Sequence, residues 1–167
     1  MSDVAQTFVS ASRRLLMSEY LPKIERCLER LGDEEVWWRP NDASNSIGNL
    51  LLHLCGNVRQ WIVGGVGRRE FERDRQQEFD ERGPLPKHDL LARIKGVLAE
   101  AEAVIGGVHG ESLLSRRQIQ GYDVTVLEAI YHVVEHFGMH TGQIIMLTKM
   151  RMGEDLRLWR PPHPASP

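Results

Sequence analysis

Four times along this sequence an apolar residue returns at every third or fourth position over several helical turns, and each run stops at glycine. The first run, Val4 to Leu31, carries Phe8, Leu15, Leu16, Tyr20, Ile24, Cys27, Leu28 and Leu31 ahead of Gly32. The second starts at Asn45 or Ser46 and reads SIGNLLLHLCGNVRQWIV before Gly64 and Gly65. The third, Lys87 to Ile105, places Leu90, Leu91, Ile94, Val97, Leu98, Ala101 and Val104 ahead of Gly106 and Gly107. The fourth, Val124 to Met152 with Asp123 as its expected cap, ends at Gly153. This is the period of helices that each bury one face, with capping residues at their starts and glycine at their stops. Without a convincing strand run between them, they predict an all-α protein, a four-helix bundle with long connections. Pro22, inside the first run, is expected to kink or break it.

The 167 residues suit one domain, residues 1–167, which at this size buries about 68–70% of its unfolded surface. Its tail, LRLWRPPHPASP at 156–167, holds four prolines and is expected to lie extended over the surface. In the connector GDEEVWWRPNDASN, Trp37 and Trp38 read as a hydrophobic plug over one end of the bundle. The stretch RREFERDRQQEFDERGPLP mixes charges of both signs and reads as a solvated loop or short surface helix.

A formal charge of −2 creates no field that would gather nucleic acid or anionic lipid. No apolar stretch reaches 18 residues, and the start MSDVAQTFVSASRR carries an acid where a signal peptide needs positive charge. The expectation is a cytoplasmic protein with a small-molecule substrate, neither nucleic acid nor membrane being a partner. There is no glycine-rich phosphate loop. Cys27 and Cys55 lack CxxC spacing and read as buried free thiols.

Chemistry concentrates in the fourth run, where HVVEHFGMHTGQI sets His132, His136 and His140 four residues apart. With a turn of about 100° per residue, Val126, Ile130, Val133, Phe137 and Ile144 define the core side, opposite Glu128, Glu135, Gly142 and Lys149. His140 falls roughly 30° from the core centre, His136 roughly 70° and His132 roughly 110°. His132 and His140 are also about 12 Å apart along the axis, too far to share an ion whose imidazole bonds are about 2.0–2.1 Å. A lone histidine at a helix edge reads as a hydrogen-bonded packing residue, but two buried imidazoles one turn apart need two sets of partners; if an ion is held here, His136 and His140 are the chelating pair. Catalytic zinc usually takes three protein ligands, so a third must come from elsewhere. His53 is the one histidine within the apolar part of another long helix, although it falls at the edge of that face, as does Asn57 one turn on.

With these residues in view, SNSIGNLLLHLCGNVRQWI and HVVEHFGMHTGQI, together with EEVWWRP and EFDERG, resemble the DinB-like family and the wider YfiT-like group of metal-dependent proteins. The resemblance spans most of the chain in the expected order. It implies a four-helix bundle holding a divalent ion, zinc or nickel foremost, on one histidine of the second helix and an HxxxH pair of the fourth. Carried onto this sequence, the ligands are His53, His136 and His140. Related families use such a site to activate a low-molecular-weight thiol, so the resemblance implies a metal-dependent enzyme, a thiol S-transferase or hydrolase; a homodimer is a separate expectation.

Two other readings compete. His132 to His136 also spells H-x-x-E-H, the inverted zinc-protease motif, which requires Glu135 to face the ion; helix turning puts Glu135 on the polar side. The bundle can also be a non-catalytic, metal-binding or regulatory one. A structural zinc site normally closes its shell with four protein ligands, and Cys55 diverges from His53 by about 200° around the helix. No residue can be assigned as general base from the sequence.

Overall fold

The computed structural model describes residues 3–159. The first rod is α1 (Asp3–Arg14), a π-helical segment (Leu15–Tyr20) and α2 (Leu21–Arg30). Pro22 does not break it. The backbone stays helical at Tyr20 (φ −84°, ψ −48°) and Leu21 (φ −55°, ψ −48°). The π turns re-set the hydrogen-bond register just ahead of the proline, so its missing N–H falls in the first turn of α2, where helices tolerate it.

A four-residue helix, α3 (Asp33–Val36), leads to the second rod, α4 (Ile47–Val58) and a π-helical extension (Arg59–Val66). Ser46 caps α4, its hydroxyl accepting from the Asn49 N–H at 3.1 Å. The polar stretch that follows contains α5 (Arg75–Asp80), capped by Asp74, and α6 (Lys87–Gly106) is the third rod. The fourth is α7 (Val126–Met152). Its cap is Thr125 rather than Asp123: Thr125 Oγ1 accepts from Glu128 N at 3.1 Å, and the Glu128 carboxylate accepts from Thr125 N at 2.6 Å.

Asp123 is otherwise engaged because the last connector, after a 3₁₀ turn (Gly110–Leu114), forms a hairpin that the apolar pattern did not announce. In it β1 (Arg116–Ile119) pairs antiparallel with β2 (Tyr122–Thr125) through a turn at Gln120–Gly121. Arg116 clasps Asp123 across the two strands at 2.8 Å, and Ile119 is buried at the root of the turn. The hairpin decorates one end of the bundle and leaves its all-α architecture intact.

Each rod packs against two neighbours: α1–α2 against α6 and α7, and α4 against the same two from the other side. The enclosed core includes Ile24, Leu51, Leu54, Ile62, Ile94, Leu98, Val133, Phe137 and Ile144. Trp37 plugs one end as expected, donating from Nε1 to Leu85 O at 3.0 Å. It lies so flat on α4 that a Cβ at Gly48 would come within 2.8 Å of its ring, which is why that position has no side chain. In the tail Leu156 is only 1% exposed and docks into the core, because an apolar side chain next to the α2 surface gains more by burial than by lying outside. The rest of the proline-rich stretch, 160–167, lies outside the described residues. No helix among the described residues is long and apolar enough to cross a membrane.

Candidate metal centre

The second and fourth rods run antiparallel, and each presents a polar residue on every turn of the facing side. Of Asn49, His53 and Asn57 on α4, the last two meet histidines of α7, and Asn49 turns to the α5 segment. Partners run in reverse order, with His53 meeting His136 and His140, and Asn57 meeting His132.

At the centre the Nε2 atoms of His53 and His136 are 3.1 Å apart, and those of His136 and His140 3.2 Å. One ligand atom from each of the three lies within 4.8 Å of the others. His53 is 4% exposed, His140 9%, and His136 is half-buried. The structure thus brings together the three histidines singled out from the sequence.

Their outer nitrogens decide what the inner ones can be. His53 Nδ1 lies 3.0 Å from Glu78 Oε2, and His140 Nδ1 lies 2.6 Å from Gln143 Oε1. A carboxylate and an amide oxygen only accept, so the tautomer that satisfies both carries its proton on Nδ1 and turns an Nε2 lone pair inward; at His53 the Arg73 Nη2 donor, 3.2 Å from the same Nδ1, competes with it. His136 can donate an Nε2 proton to one of them at most, which leaves at least one close lone-pair contact. A cation answers that contact, and metal-bound histidines normally have their other nitrogen held in this way. Ligands about 2.05 Å from a tetrahedral ion sit about 3.3 Å from one another, close to the two spacings observed. The three-histidine group can therefore hold a divalent ion.

Electrostatics agree. Burial first, then the charges of His140, His53, His132 and Arg73, push the His136 pKa down to about 3. Burial likewise lowers His140, against the pull of Gln143, and lowers His132. His136 and His140 are thus held neutral, the state in which an imidazole ligates a metal.

The polar stretch between α4 and α6 is where the sequence reading needs correction. Arg73 and Glu78 are not solvated: their side chains are 4% and 11% exposed. Arg73 grips Glu78 with Nε on Oε1 at 2.6 Å and Nη2 on Oε2 at 2.7 Å, and donates from Nη1 to Gln60 at 2.8 Å. Burial opposes ionisation of Glu78, but the hydrogen bonds and charges of Arg73 and His53 outweigh it and hold the carboxyl below its ordinary range. The segment closes over His53, with Phe79 packed on the imidazole at 4.8 Å. The pair fits because Gly56, one turn past His53, has no side chain: a Cβ there would overlap Glu78 Oε1 and approach Arg73 Nε at 2.7 Å. Phe71 and Phe79, two large apolar residues in an otherwise charged run, were the available signal for a packed segment. Gln143 was also in reach, one turn past His140 on the same face.

His132 stands apart. Its ring packs tilted against Trp61, centroids 4.1 Å apart, and its Nε2 faces Asn57 Nδ2 at 3.3 Å. Glu135 is exposed, so the H-x-x-E-H geometry does not form. Asn57 faces His132 through Nδ2, and its Oδ1 is buried without a hydrogen-bond partner. Cys27 and Cys55 are free thiols outside the histidine cluster. Two clefts reach the residues behind the histidines, Gln143 and the Arg73–Glu78 pair, and neither is lined by the three histidines themselves. One, of about 330 Å³, lies beside Gln143 and is lined by Asn45, Leu50 and Met146. The other, of about 370 Å³, lies behind the Arg73–Glu78 pair and reaches Cys55, Arg59 and Arg93.

Over residues 3–162 the sequence matches the family described as protein of unknown function DUF1572. The chain belongs to this DinB-like family. Two solved structures share the family's fold. A conserved protein from Enterococcus faecalis superposes with a TM-score of 0.73 at 14% identity, covering 87% of this chain and 97% of its own. A DinB-like protein from Bacillus cereus does so with a TM-score of 0.67 at 15% identity, over 87% and 91%. No curated protein matches the DUF1572 chain in sequence.

Proposed function

We propose that this protein is a metal-dependent enzyme in which His53, His136 and His140 hold a divalent ion, zinc or nickel, and a small molecule reacts beside it. The observation that carries the reading is the convergence of three Nε2 atoms, two of whose rings, His53 and His140, are oriented from behind by Glu78 and Gln143, while His136 Nδ1 is buried without a partner. Two such outer partners on a purely structural polar cluster would have no reason to aim lone pairs at one point. An ion bound there supplies a Lewis acid able to lower the pKa of a thiol or a water toward neutrality.

The chain's own groups favour a thiol as the nucleophile. Water, with its far higher pKa, gains from a nearby general base. Here Glu78 is clamped by Arg73 and His53, and Glu135 is exposed. A low-molecular-weight thiol titrates near pH 8.5 unaided and needs less help, so S-transfer is preferred over hydrolysis. With three protein ligands, coordination positions stay open for exchange, which argues against a purely structural ion.

Metal content of untagged protein, purified without added nickel, is expected to reach one divalent ion per chain. Replacing His53, His136 or His140 by alanine should abolish it. Metal-free wild-type protein, with uptake unchanged by all three substitutions, would end the proposal. Turnover of an electrophile with glutathione, bacillithiol, mycothiol or coenzyme A, lost on chelation, separates transferase from hydrolase. Turnover only without thiol supports the hydrolase, and a tightly loaded but inert protein supports the regulatory bundle.

A further inference from the structure

We infer that Asn49 is a positioning residue for the centre: its side chain anchors the α5 segment so that Glu78 meets His53. The inference rests on the three-histidine reading above. Asn49 lies one turn before His53 on α4 and is fully buried. Its amide nitrogen donates to Glu78 O and Glu81 O, both at 2.9 Å, and approaches Phe79 O at 3.5 Å. These carbonyls belong to the end of α5 and the residue after it, the groups a helix leaves without partners of its own. A six-residue helix has too few internal bonds to persist alone. It is held in place by what it is tied to.

The other half of the same amide works in the opposite direction. Asn49 Oδ1 accepts from Ser46 N at 3.2 Å, Ser46 Oγ at 2.7 Å and Arg39 Nη2 at 2.7 Å. One planar group thus joins the start of α4 and the tryptophan connector, through its acceptor, to the segment that carries Glu78, through its donor. Only a side chain with both functions at this length can do so. Because the Glu78 backbone is pinned at its own carbonyl and again at Glu81, the carboxylate has a fixed base from which to reach His53 Nδ1. Asn49 touches neither the ion nor the histidines; it acts through Glu78.

The two halves can be separated. Asn49→Asp keeps the acceptor for Ser46 and Arg39 and removes the donor to the α5 carbonyls. Ser46→Ala weakens the start of α4 and leaves that donor in place. Affinity for zinc and cobalt(II) is measured by chelator competition on the full chain for wild type, Asn49→Asp, Glu78→Gln, the double variant and Ser46→Ala. Loss of a partner behind a metal-bound histidine typically costs about 10–100-fold in affinity. That loss is expected for Glu78→Gln and for Asn49→Asp. The double variant is expected to lose no more than Glu78→Gln alone, since both act through one contact. The cobalt(II) absorption band of Asn49→Asp should shift together with that of Glu78→Gln. Ser46→Ala should lower the thermal stability of the metal-free protein and bind as wild type does. If Asn49→Asp does not fold, Asn49→Ala takes its place in the same cycle. Wild-type affinity in the Asn49 variant, losses that multiply with Glu78→Gln, or an equal loss in Ser46→Ala overturns the role of Asn49 and leaves the centre standing. A wild-type chain that takes up neither metal overturns the centre itself.

Discussion

Acidifying the metal-free protein from pH 7.5 to 5.0 should destabilise it through His136. In the unfolded chain this imidazole titrates near 6.5, whereas in the fold, burial and the neighbouring imidazoles and Arg73 lower it to about 3. Between those values the unfolded chain binds the proton and the folded one does not, so the stability His136 confers is complete above about pH 6.5 and is lost as pH falls toward 3. For a ring that stays neutral in the fold, linkage gives a loss of about 2 kcal/mol at pH 5.0 and less than about 0.1 kcal/mol at pH 7.5. Because His136 is half-buried, solvent screening reduces this to about 1 kcal/mol at the lower end. His140 and His132 are displaced in the same direction and add to the slope. Urea denaturation of chelator-treated protein at pH 7.5, 6.5, 5.5 and 5.0 measures it, with His136→Gln as the chain that lacks the titrating ring. Wild type should lose about 1 kcal/mol more than the variant across that range. Equal losses, or a flat wild-type profile down to pH 5.0, would show that His136 is already solvated or charged in the fold, and the neutral, converging cluster would have to be abandoned.

Three further outcomes follow from particular contacts. Gly56→Ala should weaken zinc binding by about 10–100-fold by pushing Arg73 and Glu78 off the helix, even though alanine alone favours a helix over glycine by about 1 kcal/mol; chelator competition reads the first effect and unchanged affinity refutes it. His132→Phe, which keeps a ring against Trp61, should retain a full complement of metal in elemental analysis; loss of the ion would return His132 to the ligand set. Burial pushes the Cys55 thiol up to about 12 and raises Cys27 as well, so iodoacetamide at pH 8 should label neither in the folded protein and both in urea, with mass spectrometry distinguishing the cases.

What could be read in advance was whatever a helix repeats. The four rods follow from apolar residues returning at three and four, and the choice of His136 and His140 over His132 follows from turning and rise alone. The hairpin was missed because its strands are four residues each and one apolar residue, Ile119, carries its burial; a period-2 pattern that short is lost among charges. Arg73 and Glu78 were missed for a different reason. A charge in a sequence does not reveal whether its partner is water or another residue, and here the partners are each other and His53. The structure also explains why His53, at the edge of its own apolar face, is a member of the centre. On α4 taken singly, Asn49, His53 and Asn57 look like polar trespass on a buried face. Set against α7, His53 and Asn57 each meet a histidine instead of an apolar wall, while Asn49 is taken up by Ser46, Arg39 and the α5 carbonyls. A single polar residue on such a face would be costly and unspecific. The facing rows satisfy one another only in part, Asn57 Oδ1 and His136 Nδ1 being left without a partner, and where His53, His136 and His140 meet, three Nε2 atoms converge on one point, an arrangement that a cation is suited to fill.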